Sequence, residues 1–250
     1  MHAIVVGAGF GGIAAALRLR AKGYEVTLID RCNHIGGRAR VFEREGFRHD
    51  AGPTVITAPF LFEELFALFN EKFSDHVRLV PLTPWYRFAF RDGSRFDYGG
   101  TLEQTLAEIR RIEPRDVEGY LALLRHSQRI FDVGFTQLSA QPFHRLWTML
   151  RQIPSLLRLR SHETVWQMVS RFLCSPKLRR AFSIQPLLVG GNPFDTTSIY
   201  GLIHYLERAY GVHFAMGGTG AITRALEDLM RRQGVRILLD TTVSALQVSG

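Results

Sequence analysis

A chain of 250 residues, 46% of them hydrophobic, can bury a sizeable core in one or two domains. No apolar run reaches the eighteen or so residues that a transmembrane helix needs, and Cys32 and Cys174 lack the spacing of a metal site or a redox disulfide. The formal net charge of +8 is almost all arginine, without the interleaved stacking aromatics of a nucleic-acid module, so no nucleic-acid partner is expected.

Met1-His2 leads straight into an apolar run, Ala3 to Val6, with no basic leader ahead of it, so no targeting segment is expected. The run suits a strand buried on both faces of a parallel sheet. It opens into Gly7, Gly9 and Gly12 at GxGxxG spacing, with Gly11 adding room. Gly7 permits a tight turn, Gly9 lets the backbone approach a pyrophosphate, and Gly12 lets the next helix pack close to the strand. From Ile13 the pattern is helical, with Ala14, Leu17 and Ala21 expected against the sheet and Gly23 as its stop. Free N–H groups at the start of that helix would face phosphates. A second strand, Tyr24 to Ile29, delivers Asp30, whose carboxylate can accept from both ribose hydroxyls and would repel a 2′-phosphate. The pattern therefore favours FAD or NAD over NADP; by itself it does not separate the first two.

After Asp30 and Arg31 come IGGRAR, with Gly36, Gly37 and Arg38, a strand-like RVFER, and HDAGPTV, with Gly52, Pro53 and Thr54. An arginine fork suits a diphosphate. An acid at the end of the second strand, then GGR, then DAGPT, resembles the flavin amine oxidase and phytoene desaturase superfamily. The resemblance implies FAD, with Arg38 on its phosphates, Gly36 and Gly37 as the close backbone approach, and Gly52 to Thr54 as a loop beside the flavin; Arg31 is counted with Asp30 in the same cofactor-binding set. His49 and Asp50 lie near the flavin by the same analogy, or are simply a packed histidine and a turn acid. No catalytic residue is named.

Further along, Val77 to Tyr98 alternates apolar and polar residues around Asp92-Gly93, a hairpin signal. Trp85, Tyr86, Phe88 and Phe90 would line an apolar tunnel or form a plain sheet core. Thr101, with Glu103 and Gln104 after it, marks a capped helix start, and a second helix runs from about Pro114. Between Gly134 and His162 there is no acid, while Arg145, Arg151, Arg158 and Arg160 punctuate a stretch carrying Leu146, Trp147, Leu150 and Leu157. That reads as an interfacial helix touching a membrane, or as a helix packed on its own domain with a solvated arginine face. At Gly217 to Gly220 the chain returns to the nucleotide-binding sheet through a helix, Ala221 to Gln233, and a strand, Val235 to Leu239.

Gln185 to Glu207 and Gly211 to Met230 resemble the bacterial-type phytoene desaturases. The expected fold is α/β: a Rossmann-like FAD-binding domain of the amine-oxidase type with an inserted substrate domain of a β-hairpin plus helices. Its parts are 1–70 (FAD domain, first part), 71–100 (substrate-domain strands), 101–212 (helical, substrate- and membrane-facing) and 213–250 (return to the FAD domain). Val243 is carried over as the residue whose backbone meets the adenine. The implied activity is desaturation of a long polyisoprenoid such as phytoene to neurosporene or lycopene, with FAD reoxidised by oxygen or a quinone. The implied location is cytoplasmic and peripheral to a membrane. Family members are about twice this length, so the chain is expected to be an N-terminal portion that by itself binds FAD weakly and turns nothing over. A carotenoid isomerase, a ketolase, another desaturase or an amine oxidase would share the motifs. So would a colourless, non-catalytic prenyl-binding escort of the GDI type.

Overall fold

A computed structural model describes residues 1–137, 154 and 157–247, and its contacts divide the chain into two compact units, Met1–Pro81 with His213–Gly250, and Leu82–Val212. The first unit thus runs through Pro81 rather than stopping near residue 70, because β5 (Leu79–Pro81) pairs antiparallel with β8 (His213–Ala215).

In the first unit β1 (His2–Val6), β2 (Glu25–Ile29) and β9 (Arg236–Leu238) form a parallel sheet in the order β1-β2-β9, with Ile4 opposite Thr27 and Leu28 opposite Ile237. A helix, Phe10–Ala21, connects β1 to β2, and a second, Thr219–Arg232, precedes β9. Their apolar stripes share one core with the sheet: Ile13, Ala16 and Leu17 from the first helix, Ile222, Leu226, Leu229 and Met230 from the second, Val26 and Leu28 from β2. Two expectations are corrected. The sheet-facing stripe is Ile13, Ala16 and Leu17, at i, i+3, i+4; Leu17 lies in it as expected and half-buried Ala14 packs against the same core, but Ala21 is exposed. And β1 is not buried on both faces: Val5 packs against the core, but Ile4 and Val6 are 61% and 57% exposed. Among the described residues β1 stands at the edge of this sheet, and its second face carries no apolar cover.

One smaller hairpin lies in this unit's irregular middle. β3 (Val41–Arg44) and β4 (Phe47–Asp50) pair antiparallel around Glu45 and Gly46, both at positive φ, the primed geometry that matches strand twist. The chain then crosses to an isolated bridge between Ile56 and His213.

The second unit begins with the expected hairpin, β6 (Tyr86–Ala89) against β7 (Arg95–Tyr98), turned at Asp92-Gly93. Helices Leu102–Ile112, Asp116–Phe131, Val165–Phe172, Pro176–Ala181 and Leu202–Tyr210 pack around it. Phe182 is the hub of the core, in contact with Phe96, Tyr98 and Tyr120 at centroid separations of 5.6, 5.1 and 5.0 Å. Trp85, Tyr86, Phe88 and Phe90 pack partly buried against that core, so they serve the sheet core of this unit. Among the described residues no helix is long and apolar enough to cross a membrane. Most of the arginine-punctuated stretch, residues 138–153 with 155 and 156, lies outside the described residues.

Candidate functional site

The glycine-rich turn is built by three separate constraints. Gly7 sits at φ +102°, where a side chain would be strained, and its N–H donates to Ile29 O at 2.7 Å. Gly12 presses on the same turn: a Cβ there would lie 1.8 Å from Gly7 O. Gly9 and Gly11 differ. A Cβ on Gly11 would meet nothing within 4 Å, and one on Gly9 only Gly37 Cα at 4.0 Å. No packing within the chain asks for glycine at either, which leaves a cradle that side chains would fill. The helix that follows has no side-chain N-cap and no acid in its first turn, so its first N–H groups face that cradle unclaimed.

Asp30 closes the far side. Its Oδ2 accepts from Ala8 N at 2.6 Å and its Oδ1 from Cys32 N at 2.8 Å. Burial pushes its carboxyl upward, but these backbone donors outweigh it and hold the group below the usual carboxylate range. The acid is therefore tied to the glycine turn itself, with lone pairs remaining for a further donor. The chain leaving β9 runs alongside, Asp240 N to Cys32 O at 3.1 Å and Thr241 N to Asp30 O at 2.9 Å. Val243 follows on irregular backbone, half-buried; β9 ends at Leu238, so no strand carries it.

The remaining motifs lock onto this turn in succession. Gly36 N donates to Ala8 O at 2.7 Å, and a Cβ on Gly37 would come within 3.0 Å of Gly9 Cα. Gly52 is pressed on Arg38, whose carbonyl oxygen would lie 2.2 Å from its Cβ. Pro53 O accepts from Thr219 Oγ1, joining DAGPT to the start of the second helix. Gly52, Pro53 and Thr54 are exposed, as are Arg31 and Arg38, and neither arginine pairs with an acid among the described residues. The structure thus joins GAGFGG, GGR, DAGPT and GGTGA into one ladder of contacts, with two unneutralised guanidinium groups carried on it.

Asp50 has a role the sequence did not reveal. Helix Thr219–Arg232 begins at Gly218, which has no side chain to cap it, and Asp50 Oδ2 accepts from Thr219 N at 3.0 Å in its place. The space above Gly218 is filled by that carboxylate, 2.5 Å from where a Cβ would stand. His49 is exposed on β4, opposite Phe42, so the packed-histidine alternative fails. The available signal was the capless glycine before the second helix, which requires an acceptor from elsewhere in the fold.

Comparison with known proteins agrees with this geometry. The sequence profile of the flavin containing amine oxidoreductases matches residues 10–250. The chain is 46% identical to a lycopene-forming phytoene desaturase of Pseudescherichia vulneris, over 98% of this chain and 50% of that one. It is 38% identical to a neurosporene-forming phytoene desaturase of Rhodobacter capsulatus, over 99% and 47%. The chain spans about half the length of the curated relatives it matches. An oxidoreductase structure from Methanosarcina mazei superposes at a TM-score of 0.64 with 18% identity, covering 100% of this chain and 53% of that one, which establishes the shared fold.

Proposed function

Because the chain belongs to the flavin containing amine oxidoreductase family, we propose that its first unit is the Rossmann-like FAD-binding portion of a carotenoid desaturase, with residues 82–212 as its inserted substrate domain. The observation that carries the cofactor reading is the ladder that brings Gly9, Gly37, Arg38, Gly52 and Thr219 together around a cradle with no side chain in it. Gly9 and Gly11 give a diphosphate its close approach, and the uncapped helix start at Phe10 offers N–H groups to it. Arg38, with Arg31, supplies the cationic fork; Asp30 accepts from ribose hydroxyls while Ala8 N and Cys32 N hold it in place. Gly52, Pro53 and Thr54 flank the flavin ring, and the backbone at Val243 meets the adenine.

Introducing a double bond between two carbons removes a hydride and a proton, and bound FAD supplies the hydride acceptor. The chain's own residues bind and orient that group; none of those in the ladder is positioned as a base. The identity to lycopene-forming and neurosporene-forming desaturases supports a long polyisoprenoid such as phytoene as substrate, with oxygen or a quinone as the final acceptor. A bilayer-dwelling substrate, together with Arg158, Arg160 and the acid-free stretch before them, supports a cytoplasmic protein in peripheral contact with a membrane. Expressing the full-length gene in a bacterium that accumulates phytoene tests the activity. Coloured carotenes of the neurosporene and lycopene type are expected; unchanged colourless phytoene from a soluble, flavin-loaded protein overturns it.

A further inference from the structure

Among the described residues, the core of residues 82–212 encloses more polar atoms than those residues satisfy. Glu207 is fully buried on helix Leu202–Tyr210; Tyr86 Oη donates to its Oε1 at 2.8 Å, while Oε2 has no protein partner. The next residue, Arg208, donates to Gly100 O at 2.7 Å and to Thr105 Oγ1 at 2.8 Å, and its guanidinium lies 4.4 Å over the Trp85 ring. Those bonds use its terminal nitrogens; Nε is buried and unused. Tyr98 and Tyr120, 1% and 0% exposed, each bury a hydroxyl that completes no well-formed hydrogen bond, and the same guanidinium lies 5.9 Å from the Tyr98 ring. Neighbouring groups from β7, helix Asp116–Phe131 and helix Leu202–Tyr210 thus leave four buried polar atoms without a partner.

Buried polar groups in native proteins are satisfied by protein or by ordered water, and a water is held where two to four such partners converge. We propose that Tyr98, Tyr120, Glu207 and Arg208 wall an internal water site in the second unit, one that links the Glu207 carboxyl to the two tyrosyl hydroxyls. Water there accepts from Arg208 Nε and bridges Glu207 Oε2 to a tyrosyl hydroxyl. The remaining polar groups around Glu207 are Tyr86 from β6, and His204, paired through Nδ1 with Gln185, from its own helix. Only Arg208 among them is cationic, and it is already shared between Gly100 and Thr105. Burial pushes the Glu207 carboxyl up to about 7, against the pull of Tyr86 and Arg208.

A crystal structure of the full-length protein at high resolution and pH near 6 tests this. Ordered water within hydrogen-bond distance of at least three of Tyr98 Oη, Tyr120 Oη, Glu207 Oε2 and Arg208 Nε is expected; a dry core, with Glu207 paired directly to Arg208, overturns the proposal. Tyr120→Phe keeps the ring and removes one wall of the site. Its infrared spectrum should show the protonated Glu207 carbonyl band, identified by its absence in Glu207→Gln, moved in frequency relative to the wild type. A band at unchanged frequency in Tyr120→Phe, from a protein that retains its fold, also overturns it.

Discussion

Gly9 and Gly12 are three residues apart in one motif, and the fold uses them for opposite reasons. At Gly12 a Cβ would stand 1.8 Å from Gly7 O, so Gly12→Ala should cost about 1–3 kcal/mol of stability by forcing helix and turn apart, read as a lowered urea midpoint. Gly9 lies at φ −75°, which alanine adopts freely, and its Cβ would meet no protein atom closer than 4.0 Å. Gly9→Ala should therefore leave the urea midpoint unchanged while weakening FAD binding, measured by flavin fluorescence on the full-length protein, tenfold or more. Arg38→Gln should behave like Gly9→Ala, since its guanidinium pairs with no acid among the described residues and a charge-assisted hydrogen bond to a phosphate is worth about 1.5–3 kcal/mol. Unchanged affinity in both variants would remove the cradle from the cofactor site.

Helix starts are where short polar side chains set the architecture. Thr101 caps helix Leu102–Ile112 within its own chain segment, with Gln104 reaching back in a reciprocal box, and that arrangement is visible in the sequence as a local pattern. The start of helix Thr219–Arg232 is capped from a distance by Asp50. Asp50→Ala should cost about 1 kcal/mol of stability, the usual loss for a cap, and loosen the hold of DAGPT on GGTGA; Asp50→Asn, which keeps an acceptor, should recover most of it. Thermal unfolding of the three proteins checks the order. The two helices are equally regular, so the difference lies in whether the acceptor sits three residues away or one hundred and sixty-nine.

At the scale of the whole molecule, two buried groups set opposing pH dependences inside the second unit. Glu207, raised by burial from 4.5 to about 7, contributes stability that is fully present below pH 4.5 and lost as pH rises through 7. His204, pushed by burial from 6.5 down to about 4, contributes stability present above pH 6.5 and lost as pH falls toward 4. Each swing is about 3 kcal/mol at 1.36 kcal/mol per pKa unit, and between pH 4.5 and 6.5 they cancel. The wild-type contribution from this pair should be flat there. His204→Gln should uncover a fall with rising pH, and Glu207→Gln a rise, both read from urea unfolding at stepped pH. For the membrane, flotation of the full-length protein with vesicles containing anionic lipid is expected, reduced by high salt as charge screening requires; a protein that stays at the bottom with and without anionic lipid refutes peripheral contact.

The sequence by itself determined the parts that depend on near neighbours. A glycine turn after an apolar strand, an acid at the end of the next, a hairpin at Asp92-Gly93 and a capping box at Thr101 all follow from residues within one turn or one strand of each other. Their family resemblance identified the flavin fold for the same reason: the motifs are short and contiguous. Only the tertiary structure decided that β1 has no apolar cover on one face among the described residues, that Asp50 is a helix cap, that His49 is exposed, and that Glu207 and His204 are sealed in one core. Those outcomes depend on which distant segments arrive at a surface, and periodicity carries no record of that. The same holds for the site: the sequence named its motifs, but the order in which they touch, Gly9 on Gly37, Arg38 on Gly52, Pro53 on Thr219, came from packing between chain segments far apart.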